Sequence, residues 1–255
     1  MKNRTIGLIA AMKDEFLPLL KLAVNTRRET ITGFPFYRFS VAGKDACLIE
    51  SGIGLKNGAK AAGVLIGASS PELILNFGFG GAALPGPAIG DLVIADRILS
   101  FKERLFSEQQ GLTPALTGEL YSALQQRFQG GPYRVHRGTF ITTAGITGKG
   151  LIAALLPSGA VNPVLEMETS AIARAAAASQ IPLVAIRGIS DGSDEELDFS
   201  MAELTDSAMR IRAHRVFWTV LRKPWVISQM MRLKKNTDLA GRNLAVAVMA
   251  MLERL

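Results

Sequence analysis

Short runs of apolar residues alternate along the chain with longer stretches of helical spacing. The apolar runs predict strands at 6–11, 36–41, 46–50, 72–76, 135–143 and 183–186. The stretches between them predict helices at 14–22, 56–67, 115–128 and 171–179. Alternating strands and helices are typical of an α/β fold, here a three-layer α/β/α sandwich around a central mixed or mostly parallel sheet. Residues 98–114 lack clear periodicity and are expected to form a surface loop.

The C-terminal part of the chain differs from the rest in its charge. Residues 212–255 contain nine Lys or Arg and two Asp or Glu, which accounts for the whole formal net charge of +7. We therefore expect a domain over residues 1–211 and a basic, amphipathic helical extension over residues 212–255, with helices at 212–223 and 224–235. The extension suits a helix at an anionic membrane surface, and equally a helix packed on the body or on a second subunit.

Composition argues against several other classes of protein. The 255 residues are 48% hydrophobic and 20% charged, which is typical of a globular chain. A single cysteine, Cys47, cannot form an internal disulfide, which fits a cytoplasmic protein. The two histidines have no partner at metal-ligand spacing, so we expect no metal, and no cofactor. The basic extension has no aromatic-rich module to read bases, so no nucleic-acid partner is expected.

Charged residues cluster in residues 163–194, around a predicted helix and strand. Glu168 directly precedes the alanine-rich helix, where the helix dipole favours a carboxylate. Arg187 and Asp191 follow the buried strand 183–186, which is where open α/β sheets bind their ligands. Two carboxylates and an arginine at the end of a sheet suit acid and base chemistry on a small polar molecule. A capped helix beside a loop salt bridge would have the same pattern.

Two segments of this stretch carry a family resemblance. The segment VLEMETSAIA, followed by IRGISDGSD, resembles the paired signature of the nucleoside phosphorylase superfamily. It is most similar to the hydrolytic branch, the methylthioadenosine/S-adenosylhomocysteine nucleosidases, and residues 88–95 resemble that family's G-D-I-V-V strand. The resemblance covers roughly residues 5–210. It implies the phosphorylase/hydrolase-like fold, a small-molecule purine nucleoside as partner, and at least a homodimer.

For cleavage of a purine N-glycosidic bond, the resemblance implies three roles on the side of the base. Asp191 would protonate N7 of the leaving purine, and Ser190 would orient Asp191. The wall around the base would include Phe79, Gly80 and Ile146.

On the sugar side the resemblance implies four further residues. Glu168 would hydrogen-bond the ribose hydroxyls, with Met167 packed on the sugar. Glu15 closes a loop that matches the family's A-M-x-x-E and would position or deprotonate the attacking water. Arg187 would steady that acidic side of the site.

Hydrolysis and phosphorolysis differ in whether the site holds phosphate. The phosphorylases of this superfamily bind it with arginines and a hydroxyl, because such donors match its geometry. The corresponding positions here include Glu15 and Phe79, which cannot hold phosphate, while Lys13 offers partial compensation. The sequence therefore favours a nucleosidase. A phosphorylase and a non-catalytic nucleoside-binding protein at a membrane are the alternatives.

Two departures from the nucleosidase pattern concern the substrate. Phe79 stands where a serine is usual, and residues 142–146 replace the usual S-G-D-x-F, which makes the pocket wall more apolar. With the basic tail and its R-x-P element at 222–224, the chain resembles the hopanoid-associated phosphorylase-like branch. That branch implies a lipid-linked adenosine and peripheral contact with the inner membrane surface, whereas the other nucleosidases act on methylthioadenosine or S-adenosylhomocysteine.

Overall fold

The computed structural model describes residues 5–41, 43–195 and 226–255. Ten strands in these residues form one mixed sheet: β1 (Thr5–Ala10), β2 (Val24–Ile31), β3 (Phe34–Val41), β4 (Lys44–Glu50), β5 (Leu73–Ala82), β6 (Leu92–Lys102), β7 (Leu105–Gln109), β8 (Val135–Thr143), β9 (Val164–Glu166) and β10 (Leu183–Asp191). The helices are α1 (Lys13–Leu20), α2 (Leu55–Ser69), α3 (Pro114–Arg127), α4 (Lys149–Leu155), α5 (Thr169–Ala178) and α6 (Val226–Arg254).

The sheet has an open half and a closed half. Strands β2, β3, β4, β1 and β5 pair in that order to form the open half. Beyond it, β5, β10, β6, β8 and β9 pair in a ring, because β5 pairs with both β10 and β9. Strands β4, β1, β5 and β10 are parallel, so their carboxyl ends lie together at one end of the sheet. Proteins of the α/β class place their ligand-binding sites at this end.

Successive residues of β1 show why helices cover both faces. Leu8 and Ala10 are buried in a cluster that includes side chains of α1, α3 and α6. Ile9 between them points to the other face and packs with side chains of α2 and α5. This alternation follows from the two-residue repeat of a strand. It confirms the three-layer α/β/α sandwich with a central mixed sheet.

Residues 98–114 do not form the expected surface loop. β6 continues to Lys102, the chain turns through Glu103 and Arg104 at positive φ (52° and 66°), and β7 returns antiparallel. Phe101 pairs with Phe106 across the hairpin, with ring centroids 4.9 Å apart. Side-chain pairing across strands stabilises the hairpin, and its polar outer positions hide the alternation in the sequence.

The C-terminal helix α6 is continuous, so the helix expected at 224–235 runs on to Arg254. Leu244, Ala247 and Val248 on its second half are buried in the layer with α1 and α3. The helix expected at 212–223, the R-x-P element and the boundary expected after residue 211 lie outside the described residues. Among the described helices, none is both long and apolar enough to span a membrane.

Candidate active site

Glu15 lies in the first turn of α1, next to the end of β1, and backbone N–H groups surround its carboxylate. Oε2 accepts hydrogen bonds from the amides of Ala11 at 2.6 Å and Met12 at 2.9 Å, and Oε1 accepts one from Phe79 at 2.9 Å. Burial raises the pKa of Glu15, and the amides together with Arg187 offset this only in part. Three fixed donors thus hold the carboxylate in one orientation.

Strand β5 passes between Glu15 and Asp191 through a run of glycines. It continues well past the predicted end at residue 76, to Ala82. A Cβ at Gly78 would lie 2.5 Å from Oε1 of Glu15, and a Cβ at Gly81 would lie 3.0 Å from Cγ of Asp191. The missing side chains therefore let both carboxylates approach the backbone of the same strand.

Arg187 on β10 is buried, 2% exposed, and its direct partner is Glu166 rather than Glu15. Nη2 lies 2.9 Å from Oε2 of Glu166 and also donates to Oδ1 of Asn76 at 2.9 Å and to Oγ1 of Thr169 at 2.7 Å. The carbon of the guanidinium lies 5.4 Å from the centre of the Phe140 ring. Arg187 therefore contacts Glu166 directly and influences Glu15 and Glu168 through its positive charge.

Glu166 at the end of β9 is the acid whose importance the sequence did not reveal. Its carboxylate also accepts hydrogen bonds from Thr142 Oγ1, from Thr169 Oγ1 at 2.6 Å, and from the amides of Glu168 at 3.0 Å and Thr169 at 2.7 Å. Burial opposes ionisation, but Arg187 and these donors together lower the pKa of Glu166. Glu166 is thus a fixed negative charge beneath the site.

Glu168, at the start of α5, is 8% exposed and reaches across to the turn before α2. Oε1 accepts the amide of Gly54 at 2.6 Å, and Gly54 has φ +100°, a conformation that favours glycine. Burial and then the negative charge of Glu166 raise the pKa of Glu168 to about 8, while Arg187 and the Gly54 amide act in the opposite direction. A carboxyl that changes charge near neutral pH suits a functional site.

Asp191 ends β10 and is the most accessible of these acids, with 21% of its side chain exposed. Oδ1 accepts a hydrogen bond from Ser190 Oγ at 2.7 Å. Oδ2 lies 2.6 Å from Nζ of Lys149, a residue that the sequence did not single out. The β5–β10 register places Asp191 beside Gly81 and Arg187 beside Gly78, so one strand pair carries the most accessible acid and the buried arginine of the site.

The other predicted residues surround these acids with different exposure. Gly80 is buried and its carbonyl accepts Ser190 Oγ at 3.4 Å. Phe79 is half-buried, and its ring lies against α6, 3.4 Å from the position of a Cβ on Gly241. Met167 is half-buried, and Ile146 is 52% exposed in the loop before α4. In residues 5–41, 43–195 and 226–255 no group of three His, Cys, Asp or Glu gathers as metal ligands.

The chain matches the family model of the phosphorylase superfamily over residues 5–222. The 5'-methylthioadenosine/S-adenosylhomocysteine nucleosidase of Listeria welshimeri is 30% identical over 222 residues, which cover 81% of this chain and 94% of the relative. The enzyme of the same name from Glaesserella parasuis is 27% identical, over 78% of this chain and 90% of its own length.

Solved structures agree in fold over nearly the whole chain. The Neisseria meningitidis 5'-methylthioadenosine/S-adenosylhomocysteine nucleosidase, in complex with methylthio-immucillin-A, superposes with a TM-score of 0.75 at 22% identity, covering 99% of this chain and 100% of its own. The Helicobacter pylori futalosine hydrolase superposes with a TM-score of 0.73 at 17% identity, covering 99% and 98%. At these identities the superpositions show the fold alone.

Proposed function

Because this chain belongs to the phosphorylase superfamily, we propose that it is a purine N-ribosyl hydrolase that cleaves the N-glycosidic bond of a 5′-modified adenine nucleoside. Its curated relatives are nucleosidases, and the match extends along nearly all of their length. The reaction class is therefore hydrolysis of a purine N-glycosidic bond. The 5′ substituent and the role of each residue are the parts that we propose.

The position of Glu15 is the observation that carries hydrolysis. Its carboxylate accepts hydrogen bonds from the amides of Ala11, Met12 and Phe79. These are the backbone donors that a bound anion at this end of the sheet would use. A buried negative charge there repels phosphate. The same carboxyl has a raised pKa, which suits a base that takes a proton from water. We therefore assign Glu15 to the attacking water, with the charge of Arg187 behind it.

Glu168 and Asp191 are the acids that we propose contact the sugar and the base. Glu168, held by the Gly54 amide, binds the ribose hydroxyls, with Met167 packed on the ring. Asp191, held by Ser190, delivers a proton to N7 of the purine, since a purine leaves readily only when it is protonated. Phe79, Gly80 and Ile146 are proposed to form the wall around the nucleoside.

A lipid-linked adenosine is our second candidate substrate. The observation that favours it is the exposed face of α6, where Met231 is 69% exposed among Lys234, Lys235 and Arg242. Basic and apolar groups together bind anionic membrane surfaces, each basic residue contributing about 1 kcal/mol. This face would bring the chain to the inner membrane surface as a peripheral protein.

Sedimentation with anionic vesicles tests the membrane contact. A variant truncated after residue 212 is unsuitable for this test, because the truncation would delete the buried half of α6. The double variant Lys235→Glu/Arg242→Glu should instead remain in the supernatant at low salt. The control double variant on α2, Lys56→Glu/Lys60→Glu, should sediment with the vesicles like the unchanged chain. If the unchanged chain stays in the supernatant, the lipid-linked substrate loses its main support.

The family resemblance also leads us to propose a homodimer. Light scattering after size exclusion measures this directly, because a dimer has twice the 27.3 kDa mass of the chain. A single species at the monomer mass over the concentrations used for catalysis would reject it.

Release of free purine tests the proposed function itself. The chain is incubated with adenosine, 5′-methylthioadenosine, inosine and uridine, and the products are separated by chromatography. We expect free adenine from the adenine nucleosides and no uracil from uridine, which offers no N7. Tight nucleoside binding without release of any base would instead support the non-catalytic binding protein.

A further inference from the structure

Lys149 is a buried lysine for which the mechanism above has no use. It is the first residue of α4 and is 8% exposed. Nζ lies 2.6 Å from Oδ2 of Asp191 and also donates to the carbonyl of Gly192. Burial of an ammonium group costs free energy, and a cation at the start of a helix opposes the helix dipole. A lysine placed against both effects indicates a function at its partner, Asp191.

The hydrogen bonds of Asp191 show what that function is. Oδ1 accepts from Ser190 Oγ at 2.7 Å, and Oδ2 accepts from Lys149. Both oxygens of Asp191 thus act as hydrogen-bond acceptors, and neither is placed to present a proton of its own. The leaving purine nevertheless needs a proton. Among the described residues, the acid in contact with Asp191 is the ammonium of Lys149.

We propose that Lys149 supplies, through Asp191, the proton that the leaving purine receives; this rests on the proposed function. As the bond between C1′ and N9 breaks, its electron pair moves into the base. Asp191 delivers a proton to N7 and takes one from Nζ, which becomes a neutral amine. The oxygen of water bonds to C1′ and its proton passes to Glu15. Solvent then returns a proton to Lys149 and removes one from Glu15, so the cycle consumes one water.

Two substitutions separate proton delivery from simple positioning of Asp191. Lys149→Arg keeps a positive charge beside Asp191, but a guanidinium does not release its proton. Lys149→Met removes both the charge and the proton. If Lys149 delivers the proton, both variants should lose about 10²-fold in kcat with KM changed less than about threefold. The alkaline limb of the kcat profile, which reports the essential acid, should be lost or displaced in both.

A substrate whose leaving group needs no proton provides the internal control. A nitrophenyl riboside releases nitrophenolate unaided, so both variants should cleave it within about threefold of the unchanged chain. Lys60→Met, on the exposed face of α2, should match the unchanged chain with every substrate. Thermal unfolding of each variant shows whether the fold is kept.

Three results would overturn the inference while the proposed function stands. Lys149→Met could keep purine cleavage within about twofold, Lys149→Arg could restore it, or both variants could lose nitrophenyl riboside cleavage equally with a lowered unfolding temperature. The first makes Lys149 dispensable, the second reduces it to a positive charge, and the third makes it structural. Failure of the unchanged chain to release purine from any nucleoside would reject the proposed function instead.

Discussion

Arg187 and Glu166 form an ion pair in the interior of the protein, with 2.9 Å between Nη2 and Oε2 and with 2% and 1% of their side chains exposed. The pair influences the two carboxyls proposed to meet the substrate. Arg187 lowers the pKa of both Glu15 and Glu168, and Glu166 raises that of Glu168. It thus adjusts the charge of the site without facing solvent.

Removal of one partner should destabilise the protein strongly. Arg187→Met leaves the Glu166 carboxylate buried without its cation, so the free energy of unfolding should fall by about 3–5 kcal/mol. Arg127→Met breaks the exposed pair with Glu253, which is 2.7 Å in length, and should cost about 0–1 kcal/mol. Denaturant unfolding measures both. Equal losses would contradict the structural role of the buried pair.

The pair also shows how far the sequence could predict the site. The motif 164–173 contains two glutamates, and spacing alone gave no reason to assign the charge partner of Arg187 to Glu166 rather than to another acid. They diverge because β9 ends at Glu166, whereas Glu168 lies beyond the strand at the start of α5: Glu166 turns inward to Arg187, and Glu168 turns to Gly54. Such a choice depends on contacts between residues far apart in the chain.

The pattern of apolar residues likewise predicted only some of the strands. Apolar runs located β1, β4 and β10, because these strands are buried. β2 was missed, since all but one of its residues are exposed at the edge of the sheet and it has no apolar run. The predicted strand stopped at residue 76, before the glycines of β5, yet the strand continues to Ala82 through pairing with β10 and β9, and Glu15 and Asp191 occupy the space of the missing side chains.

The raised pKa of Glu168 makes stability depend on pH. Its value of about 8 in the folded chain exceeds the usual 4.5, so the folded state holds the proton more tightly. The stability this confers is present in full below about pH 4.5 and is lost as the pH rises through about 8. Relative to Glu168→Gln, the unchanged chain should therefore lose stability across this window. Urea midpoints at several pH values measure it, and parallel curves would contradict the assignment.

Gly78→Ala should reduce activity by moving Glu15. The added Cβ would lie 2.5 Å from Oε1, so the carboxylate must leave the Phe79 amide. Displacement of a reacting group by about 1 Å can cost 10²-fold in kcat. Gly63→Ala in α2 meets nothing within 4 Å and should stabilise the helix by about 0.5–1 kcal/mol without changing kcat. Equal kcat values for the two variants would show that Glu15 does not depend on this space.

Asp191→Asn keeps the size of the side chain but removes the group that transfers the proton. Turnover of a purine nucleoside should fall by about 10²- to 10⁴-fold with the fold intact, as monitored by circular dichroism. Asp96→Asn, in the exposed pair with Arg137, is the matched control and should leave turnover unchanged. Retention of more than about half the activity by Asp191→Asn would show that another group protonates the base.

Cleavage of an adenine nucleoside with and without phosphate tests the central claim most directly. The Glu15 carboxylate accepts hydrogen bonds from the three backbone amides at this end of the sheet, so these amides are not available to bind phosphate. Water is therefore the expected nucleophile. Chromatography should show free adenine and a reducing sugar, formed at a rate that phosphate does not change. Strict dependence on phosphate, with ribose 1-phosphate or its 5′-modified form as the product, would contradict hydrolysis.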